Sequence, residues 1–357
     1  MIKKISILLL LFIICGCSSL EPLDEELENL GYTRGEVSAI LQLNYKDRLV
    51  FKEGYSKRLI TIISNPEFDI TKSSLYFKFY KDYDDKTLFY LVNNNYINID
   101  NYQLISEFFK NDYFILDNLS KYLVYYKDYN DVPYTIAYVN VGAYREPYVE
   151  YDMTDLSKGS LILANKWNSL NDYVPVNLVT IKSMHGTSSK SNQKLDKECY
   201  DAFIEMYNAA KEKDINFYIA SGYRAHDTQV DVYNRYLQTD SQARVDTYSS
   251  RPGFSDHQTG LACDILSGKY DFDSFENSSA CTWLKKNAHK YGFILRFPKD
   301  KTELTGYMYE SWHYRYVGKE VAKFIYENNI CFEEYYAYYI NRNQNKTDSL
   351  ENNNRVK

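Results

Sequence analysis

The chain has 357 residues, of which 45% are hydrophobic, and its formal net charge is −6 at pH 7. This length predicts two domains with tails rather than one compact domain. The acidic balance, without a basic block or an arginine stripe, argues against a nucleic-acid-binding protein.

The first residues follow the pattern of a secreted bacterial lipoprotein. An apolar run over residues 5–14 follows two lysines and is too short to span a bilayer, as is usual for the core of a signal peptide. Residues 14–17 (ICGC) then resemble the bacterial lipobox, in which the last cysteine receives lipid. We therefore expect a signal peptide over residues 1–16 and an extracytoplasmic protein that is lipid-anchored to the cell membrane through Cys17. A plain cleaved secretion signal is the alternative.

A mostly helical N-terminal domain is predicted over residues 27–150, after an acidic tether over residues 17–26. A capping box, with Thr33 as the N-cap and Glu36 as its partner, marks the start of one helix. A weak internal repeat, offset by about 46 residues, matches residues 80–83 (YKDY) with residues 126–129 (YKDY). A period of this size suggests stacked helical units of unknown binding role. Chance similarity in a chain rich in Tyr, Lys and Asp is the alternative.

From residue 158 to 335 the pattern changes to short strands mixed with helices. This mixture predicts an α+β domain with a small mixed or antiparallel sheet and flanking helices. Apolar residues at helical spacing predict helices over residues 191–213, 226–238, 279–290 and 318–328. Short apolar runs predict strands over residues 161–163, 215–220, 261–266, 292–297 and 312–317. The polar tail over residues 341–357 is predicted to be disordered.

Four cysteines lie in the body of the chain. Cys199, Cys263, Cys281 and Cys331 form no C-x-x-C pair, so neither a thiolate zinc site nor a redox motif is indicated. Disulfides are permitted outside the cell, but four scattered cysteines do not require them, and their state is left open.

Two segments combine residues that suit metal binding. Pro252 and Gly260 make a continuous helix unfavourable around His257. A turn at Gly260 would return His257 to the side of Asp264, at the start of a strand. An imidazole nitrogen and a carboxylate oxygen are both good zinc ligands.

The second segment supplies a further histidine and a carboxylate. Glu310 lies three residues before His313, so both side chains can reach one centre. A catalytic zinc ion takes three protein ligands and leaves one position for a water molecule. His257, Asp264 and His313 are therefore predicted to bind zinc, and Glu310 is predicted to act as the general base. His185, His226 and His289 are predicted to be structural.

The two segments together resemble a known signature. Ser255-x-His257-x-x-Gly260-x-Ala262-x-Asp264, followed by Glu310-x-x-His313, resembles the paired motifs of the VanY-type D-alanyl-D-alanine carboxypeptidases. Upstream, residues 221–224 (SGYR), Gln229 and Tyr233 are similar too. The resemblance covers about residues 160–330, and both motifs occur in order.

The resemblance implies an enzyme that removes the terminal D-alanine of peptidoglycan stem peptides. It implies His257, Asp264 and His313 as zinc ligands, and Glu310 as the base that takes a proton from the metal-bound water. Arg224 would hold the substrate and stabilise the oxyanion. Ser255 and Gln229 are weaker candidates for substrate contacts.

Three alternatives remain open at this stage. A peptidase of different specificity, either an LD-carboxypeptidase that removes D-alanine from tetrapeptides or, less favoured, an endopeptidase that cuts within the stem, would use the same motifs, because pocket shape is not encoded in them. A non-catalytic lipoprotein that binds cell-wall peptides is a different class of function. A third alternative makes the N-terminal domain the main functional part and the peptidase domain subordinate to it.

Overall fold

The computed structural model describes residues 22–341, apart from residues 67, 95, 97, 98 and 182–192. The predicted signal peptide, the lipidation site Cys17, His185 and almost all of the predicted disordered tail lie outside the described residues. The chain divides into two compact units between Leu116 and Asp117. The last two helices of the predicted N-terminal domain thus belong to the same unit as the predicted catalytic domain.

The first unit contains seven helices among its described residues. These are α1 (Pro22–Asn29), α2 (Arg34–Leu41), α3 (Tyr45–Arg48), α4 (Lys57–Ile63), α5 (Ser73–Asp82), α6 (Asp85–Asn93) and α7 (Ile99–Phe109). The capping box at Thr33 is present, with the Thr33 side chain and the Glu36 side chain each accepting from the other's backbone N–H. Residues 22–26, predicted as part of a tether, form the first turns of α1 instead, because Leu27 is fully buried.

The second unit contains the other helices and all the described strands. Its helices are α8 (Leu119–Tyr129), α9 (Val132–Asn140), α10 (Lys197–Lys211), α11 (His226–Tyr236), α12 (Gln242–Val245), α13 (Ser279–Asn287), α14 (Thr302–Thr305), α15 (Lys319–Asn328) and α16 (Phe332–Tyr335). Its strands are β1 (Asp152–Met153), β2 (Asn168–Ser169), β3 (Leu178–Thr180), β4 (Lys194–Asp196), β5 (Tyr218–Ser221), β6 (Ala262–Leu266), β7 (Phe293–Leu295) and β8 (His313–Tyr316).

The internal repeat corresponds to repeated local structure. Residues 80–83 span the end of α5, and residues 126–129 form the end of α8. An aspartate then caps the next helix in both places. Asp84 accepts from the N–H of Thr87 and Asp131 accepts from the N–H of Tyr134, each at 2.8 Å. The repeated sequence therefore specifies a helix end followed by a capped helix start.

A four-stranded antiparallel sheet with the order β5-β6-β8-β7 forms the centre of the second unit. Strand β6 lies between two neighbours, and all five of its residues are buried. Helix α10 packs a continuous apolar face, which includes Cys199, Phe203 and Met206, into the same core. The predicted α+β class is confirmed. Among the described residues, no helix is long and apolar enough to cross a membrane.

One predicted strand is absent. Residues 161–163 are apolar because Ile162 and Leu163 are buried, but the chain there leaves a 3-10 helix, Leu156–Leu161, without entering a sheet. Arg315 donates hydrogen bonds to the carbonyl groups of Ser160 and Ile162, so a buried side chain takes the place of a neighbouring strand. A short apolar run does not distinguish these two environments.

Candidate metal centre and active site

A tight turn before β6 positions His257. Ser255 caps the 3-10 helix Asp256–Thr259 by accepting from the N–H of His257 at 3.3 Å, and Gly260 ends it with φ of +71°. A Cβ atom at Gly260 would lie 2.9 Å from Leu178 and 3.1 Å from the backbone nitrogen of Asp196. The positive φ and the close neighbours both require glycine here. The turn expected at Gly260 is therefore present.

The register of the sheet places the other two predicted ligands opposite each other. Asp264 of β6 pairs directly with His313 of β8. Side chains of directly paired residues lie on the same face of a sheet, so these two meet. Nδ1 of His313 is 3.3 Å from one oxygen of Asp264, and Nε2 of His257 is 3.3 Å from the other.

The three side chains form a candidate metal site. Ligand atoms of His257, Asp264 and His313 all lie within 4.8 Å of one another, and each residue is buried. Oδ1 of Asp264 is buried and, although Nδ1 of His313 lies 3.3 Å away, it accepts no well-aligned hydrogen bond from the described residues, which is costly for a carboxylate unless a cation binds it. Two imidazoles with one carboxylate are a donor set that suits zinc and leave a coordination position open.

The electrostatic surroundings affect how readily each of the three groups would bind a cation. Burial raises the pKa of Asp264, but the charges of His257 and His313 more than offset this effect and hold it at about 2. Burial lowers the pKa of His257 although the charge of Asp264 opposes this effect, and a lowered pKa favours the neutral ring that binds a metal. Burial acts in the same direction on His313, but Glu310 and Asp264 reverse it and raise the pKa of His313. Metal binding at His313 would thus displace a proton.

A backbone carbonyl fixes the orientation of His257. Its Nδ1 lies 2.8 Å from the carbonyl oxygen of Gly222, which can only accept, so Nδ1 carries the hydrogen. Nε2 is then the nitrogen with a free lone pair, and it faces Asp264. Histidine ligands of metals commonly donate their second N–H in this way. Residues 221–224 are part of the family resemblance, but nothing in the sequence indicated this role for Gly222.

Glu310 lies beside the three ligands without joining them. Its Oε2 is 3.2 Å from Nδ1 of His313, and its side chain is buried. Burial raises the pKa of Glu310, and the hydrogen bond from His313 opposes that rise. A carboxylate with a raised pKa next to a metal site is well suited to accept and return a proton.

Arg224 extends over the ligands and is held by its neighbours. Its guanidinium donates to Gln229 at 2.7 Å and to Ser221 at 3.2 Å, and lies 3.9 Å from Oδ2 of Asp264. Gln229 does not line the cavity, because its amide also donates to the carbonyl of Ser250 at 2.7 Å and is fully buried. Gln229 therefore holds Arg224 rather than offering a free group to a substrate.

All of these side chains except Gln229 line one cavity of about 840 Å³. This volume is within the usual range of small-molecule sites. Ser255 lines it too, although its hydroxyl is engaged as a helix cap. Aromatic and arginine side chains to which the sequence assigned no role complete the walls: Tyr223, Arg235, Arg244, Tyr248, Phe272 and Tyr307.

Comparison with known proteins identifies the family. Residues 192–319 match the family model of VanY, a D-alanyl-D-alanine carboxypeptidase. A D-alanyl-D-alanine carboxypeptidase of Enterococcus faecalis is 33% identical over 190 residues, which are 51% of this chain and 67% of that one. The chain belongs to the VanY family. The YodJ protein of Bacillus subtilis is 38% identical over 182 residues, 49% of this chain and 66% of YodJ.

VanY-family structures have also been solved. One, a D,D-pentapeptidase VanY variant from a VanB-type resistance cassette in complex with Zn(II), is 32% identical. The alignment covers 49% of this chain and 98% of the VanY variant, with a TM-score of 0.43. The chain spans about two thirds of the length of the two curated relatives.

Outside the two VanY-family motifs, the described histidines have other surroundings. His226 is partly exposed beside Asp227, and the ring of His289 stacks on Tyr326 with 3.8 Å between centroids. The four cysteines of the body are buried and free. Cys263 alternates with Asp264 on β6 and points into the apolar core, where burial raises the pKa of its thiol. A cysteine next to a ligand in the sequence is thus kept away from the candidate metal site.

Proposed function

We propose that this protein is a zinc-dependent D-alanyl-D-alanine carboxypeptidase, which removes the terminal D-alanine of peptidoglycan stem peptides. The observation that carries the proposal is the buried convergence of His257, Asp264 and His313, with Glu310 at 3.2 Å from His313, in the wall of one cavity. Family membership supports the substrate class, since relatives bear the name of this activity.

The chain's own residues divide the work of hydrolysis. His257, Asp264 and His313 would hold the zinc ion, which would supply Lewis acidity and so make a water molecule more acidic. Oε2 of Glu310 accepts the proton of the attacking water and returns it to the nitrogen of the leaving D-alanine. The guanidinium of Arg224, fixed by Gln229 and Ser221, donates hydrogen bonds to the substrate as negative charge develops on its carbonyl oxygen.

The direct test measures D-alanine release from muropeptides that end in pentapeptide or tetrapeptide stems. We expect release from the pentapeptide by the zinc-loaded protein, and Glu310→Gln should lower kcat by about 10²–10⁴ because proton transfer is lost. Zinc content should stay the same, since Glu310 is not a ligand. Preference for the tetrapeptide would identify an LD-carboxypeptidase. A zinc-loaded protein that releases no D-alanine from either substrate would exclude the proposal.

We further propose that the mature protein is anchored outside the cell by lipid on Cys17. The support is the sequence pattern alone: a short apolar run followed by residues 14–17 (ICGC). Metabolic labelling with an alkyne-tagged fatty acid should mark the wild-type protein, and Cys17→Ala should abolish the label. Cys15→Ala is the matched control and should still be labelled. Label that persists in Cys17→Ala would reject this anchor.

A further inference from the structure

Four buried charged side chains are connected by hydrogen bonds in a continuous network beside the candidate metal site. Arg296 and Arg315 are fully buried, and Asp256 and Glu333 are 3% and 2% exposed. The two guanidinium groups and the two carboxylates balance in charge. Because each unpaired charge in a protein interior carries a large desolvation cost, such a set is stable only when every member has partners.

Asp256 and Glu333 both bind Arg296, and Asp256 binds both arginines. Asp256 accepts from Nε of Arg296 and from Nη1 of Arg315, each at 2.7 Å. Glu333 accepts two hydrogen bonds from Arg296, at 2.8 and 2.6 Å. The two hydrogen bonds between Arg296 and Glu333 form a bidentate pair, which makes an arginine–carboxylate contact strong and fixes its geometry. The side-chain amide of Asn165 adds a hydrogen bond to Glu333 at 3.0 Å.

The network is joined to the backbone of the metal-binding residues. Asp256 directly precedes His257 in the 3-10 helix, and Arg315 lies two residues after His313 on β8. The backbone N–H of Arg296 donates to the carbonyl of His313 at 3.0 Å. A displacement of Arg296 or Asp256 would therefore move the two histidines relative to each other.

Glu333 belongs to a part of the chain that the family model does not cover. The match ends at residue 319, whereas Glu333 lies on α16. Asn165 also precedes the matched region, as do the carbonyl groups of Ser160 and Ile162 that accept from Arg315. Flanking segments on both sides thus supply the outer partners of the two arginines.

We propose that Glu333 is a positioning residue for the metal centre: by fixing Arg296, and through it Asp256 and the His257 turn, it preorganises the ligands for zinc. The inference rests on the proposed metal site. It gives the C-terminal segment a role in metal affinity rather than in packing alone. Groups that hydrogen-bond metal ligands directly commonly contribute about 10- to 100-fold to affinity, and Glu333 acts one step further out, through Arg296.

Glu334, the next residue, offers a matched control. It lies on the same short helix, is 5% exposed and is also ion-paired, with Lys301 at 3.0 Å. It also caps α16 by accepting from the N–H of Cys331 at 2.7 Å. Loss of its charge therefore disturbs α16 to a comparable degree, but none of its recorded contacts reaches Arg296.

The experiment compares the full-length wild type, Glu333→Gln and Glu334→Gln. Zinc affinity is measured by competition with a chromogenic chelator, and ligand geometry by the visible absorption spectrum of the cobalt-substituted protein. We expect Glu333→Gln to bind zinc about 10-fold more weakly, at the lower end of the range for direct partners of ligands, and to change the cobalt spectrum. Glu334→Gln should stay within about threefold of the wild type and keep its spectrum.

A second variant keeps the inference testable if Glu333→Gln does not fold. Asn165→Ala removes the hydrogen bond that the side chain donates to Glu333 Oε1 and the one that it accepts from the N–H of Trp167, and should weaken zinc binding in the same direction by a smaller factor. Equal losses in Glu333→Gln and Glu334→Gln, or no loss in any variant, would overturn the positioning role. If the wild type binds zinc and releases D-alanine in that case, the proposed function stands. If the wild type binds no zinc, both the positioning role of Glu333 and the proposed function are rejected.

Discussion

Lys166 is a buried amine with no carboxylate at ion-pair distance among the described residues. It is 7% exposed and lies over the rings of Tyr307 and Tyr148, at 5.0 and 5.7 Å from their centroids. Burial lowers the pKa of Lys166 to about 8. The rings attract the ammonium group but do not replace its lost hydration.

This pKa predicts a rise in stability with pH. Between about pH 8 and 10.5 the unfolded chain binds a proton at Lys166 that the folded chain has released, so the free energy of unfolding increases with pH in this range. The increase should amount to about 2–3 kcal/mol. Lys166→Met should lack this increment, and urea unfolding of both proteins at pH 7, 8, 9 and 10 measures it. Parallel curves for the two proteins would contradict the burial effect.

Arg224 supports a second prediction at this scale. Lysine cannot reproduce the planar fork by which the guanidinium contacts Gln229 and Ser221. Arg224→Lys should therefore lower kcat/KM for D-alanine release by about 10²-fold or more, as expected when a donor to a developing oxyanion is misplaced. Zinc content should not change, because Arg224 is not a ligand. Wild-type kinetics in this variant would show that Arg224 does not act on the substrate.

At the scale of secondary structure, the turn that ends at Gly260 connects stability to the metal centre. Gly260→Ala adds a strained φ and contacts with Leu178 and Asp196, and should lower the free energy of unfolding by about 2 kcal/mol or more. Gly268, with φ of +56° and no atom near its absent Cβ, is the control. Gly268→Ala should cost about 1 kcal/mol from strain alone.

The same pair of variants separates a local effect from a general one. Chelator competition should show weaker zinc binding for Gly260→Ala, because the turn carries His257, and unchanged binding for Gly268→Ala. Similar losses in both variants would mean that the turn does not determine the position of His257.

The elements predicted from the sequence were those with local signals. Helix α10 has a continuous apolar face, and β6 and β8 are short apolar or aromatic segments with turns before them. The convergence of His257, Asp264 and His313 was also predictable, since a turn and two spaced motifs carry it. Disulfide formation was left open, and the structure shows four free thiols.

The rest depends on contacts between distant parts of the chain. Arg296 and Glu333 are 37 residues apart and have no sequence pattern that links them. The engagement of Gln229 with Ser250 is likewise a tertiary contact, so sequence reasoning assigned Gln229 to the substrate. Residues 161–163 were predicted as a strand because burial against Arg315 leaves the same apolar signature.

For the whole molecule, the division between Leu116 and Asp117 predicts where the chain tolerates truncation. All candidate metal ligands lie in the second unit, which also includes α8 and α9. Tyr134 of α9 donates to Glu303 of α14 at 3.0 Å, and the hydroxyl groups of Tyr148 and Tyr307 lie 3.1 Å apart. These contacts connect residues before 150 to the segment that leads to Glu310.

Two truncated chains test this division. A chain that begins at residue 117 should bind zinc and release D-alanine at a rate within a few fold of the full-length protein. A chain that begins at residue 151 lacks α8, α9 and Tyr148, and should melt several degrees lower. Thermal unfolding followed by circular dichroism, with D-alanine release, makes the comparison. Equal melting temperatures for both chains would place the functional boundary at residue 150 instead.

The direct pairing of Asp264 with His313 has a consequence for how this protein can evolve. A cation bound by both residues would join two strands that are remote in the sequence, and its binding free energy would add to the stability of the folded chain because the unfolded chain has no preformed site. The stability of the fold and the rate of catalysis would then depend on the same atoms. A substitution of Asp264 or His313 that abolished catalysis would also remove this link within the central sheet. Loss of activity during evolution would therefore require stabilising substitutions elsewhere in the fold.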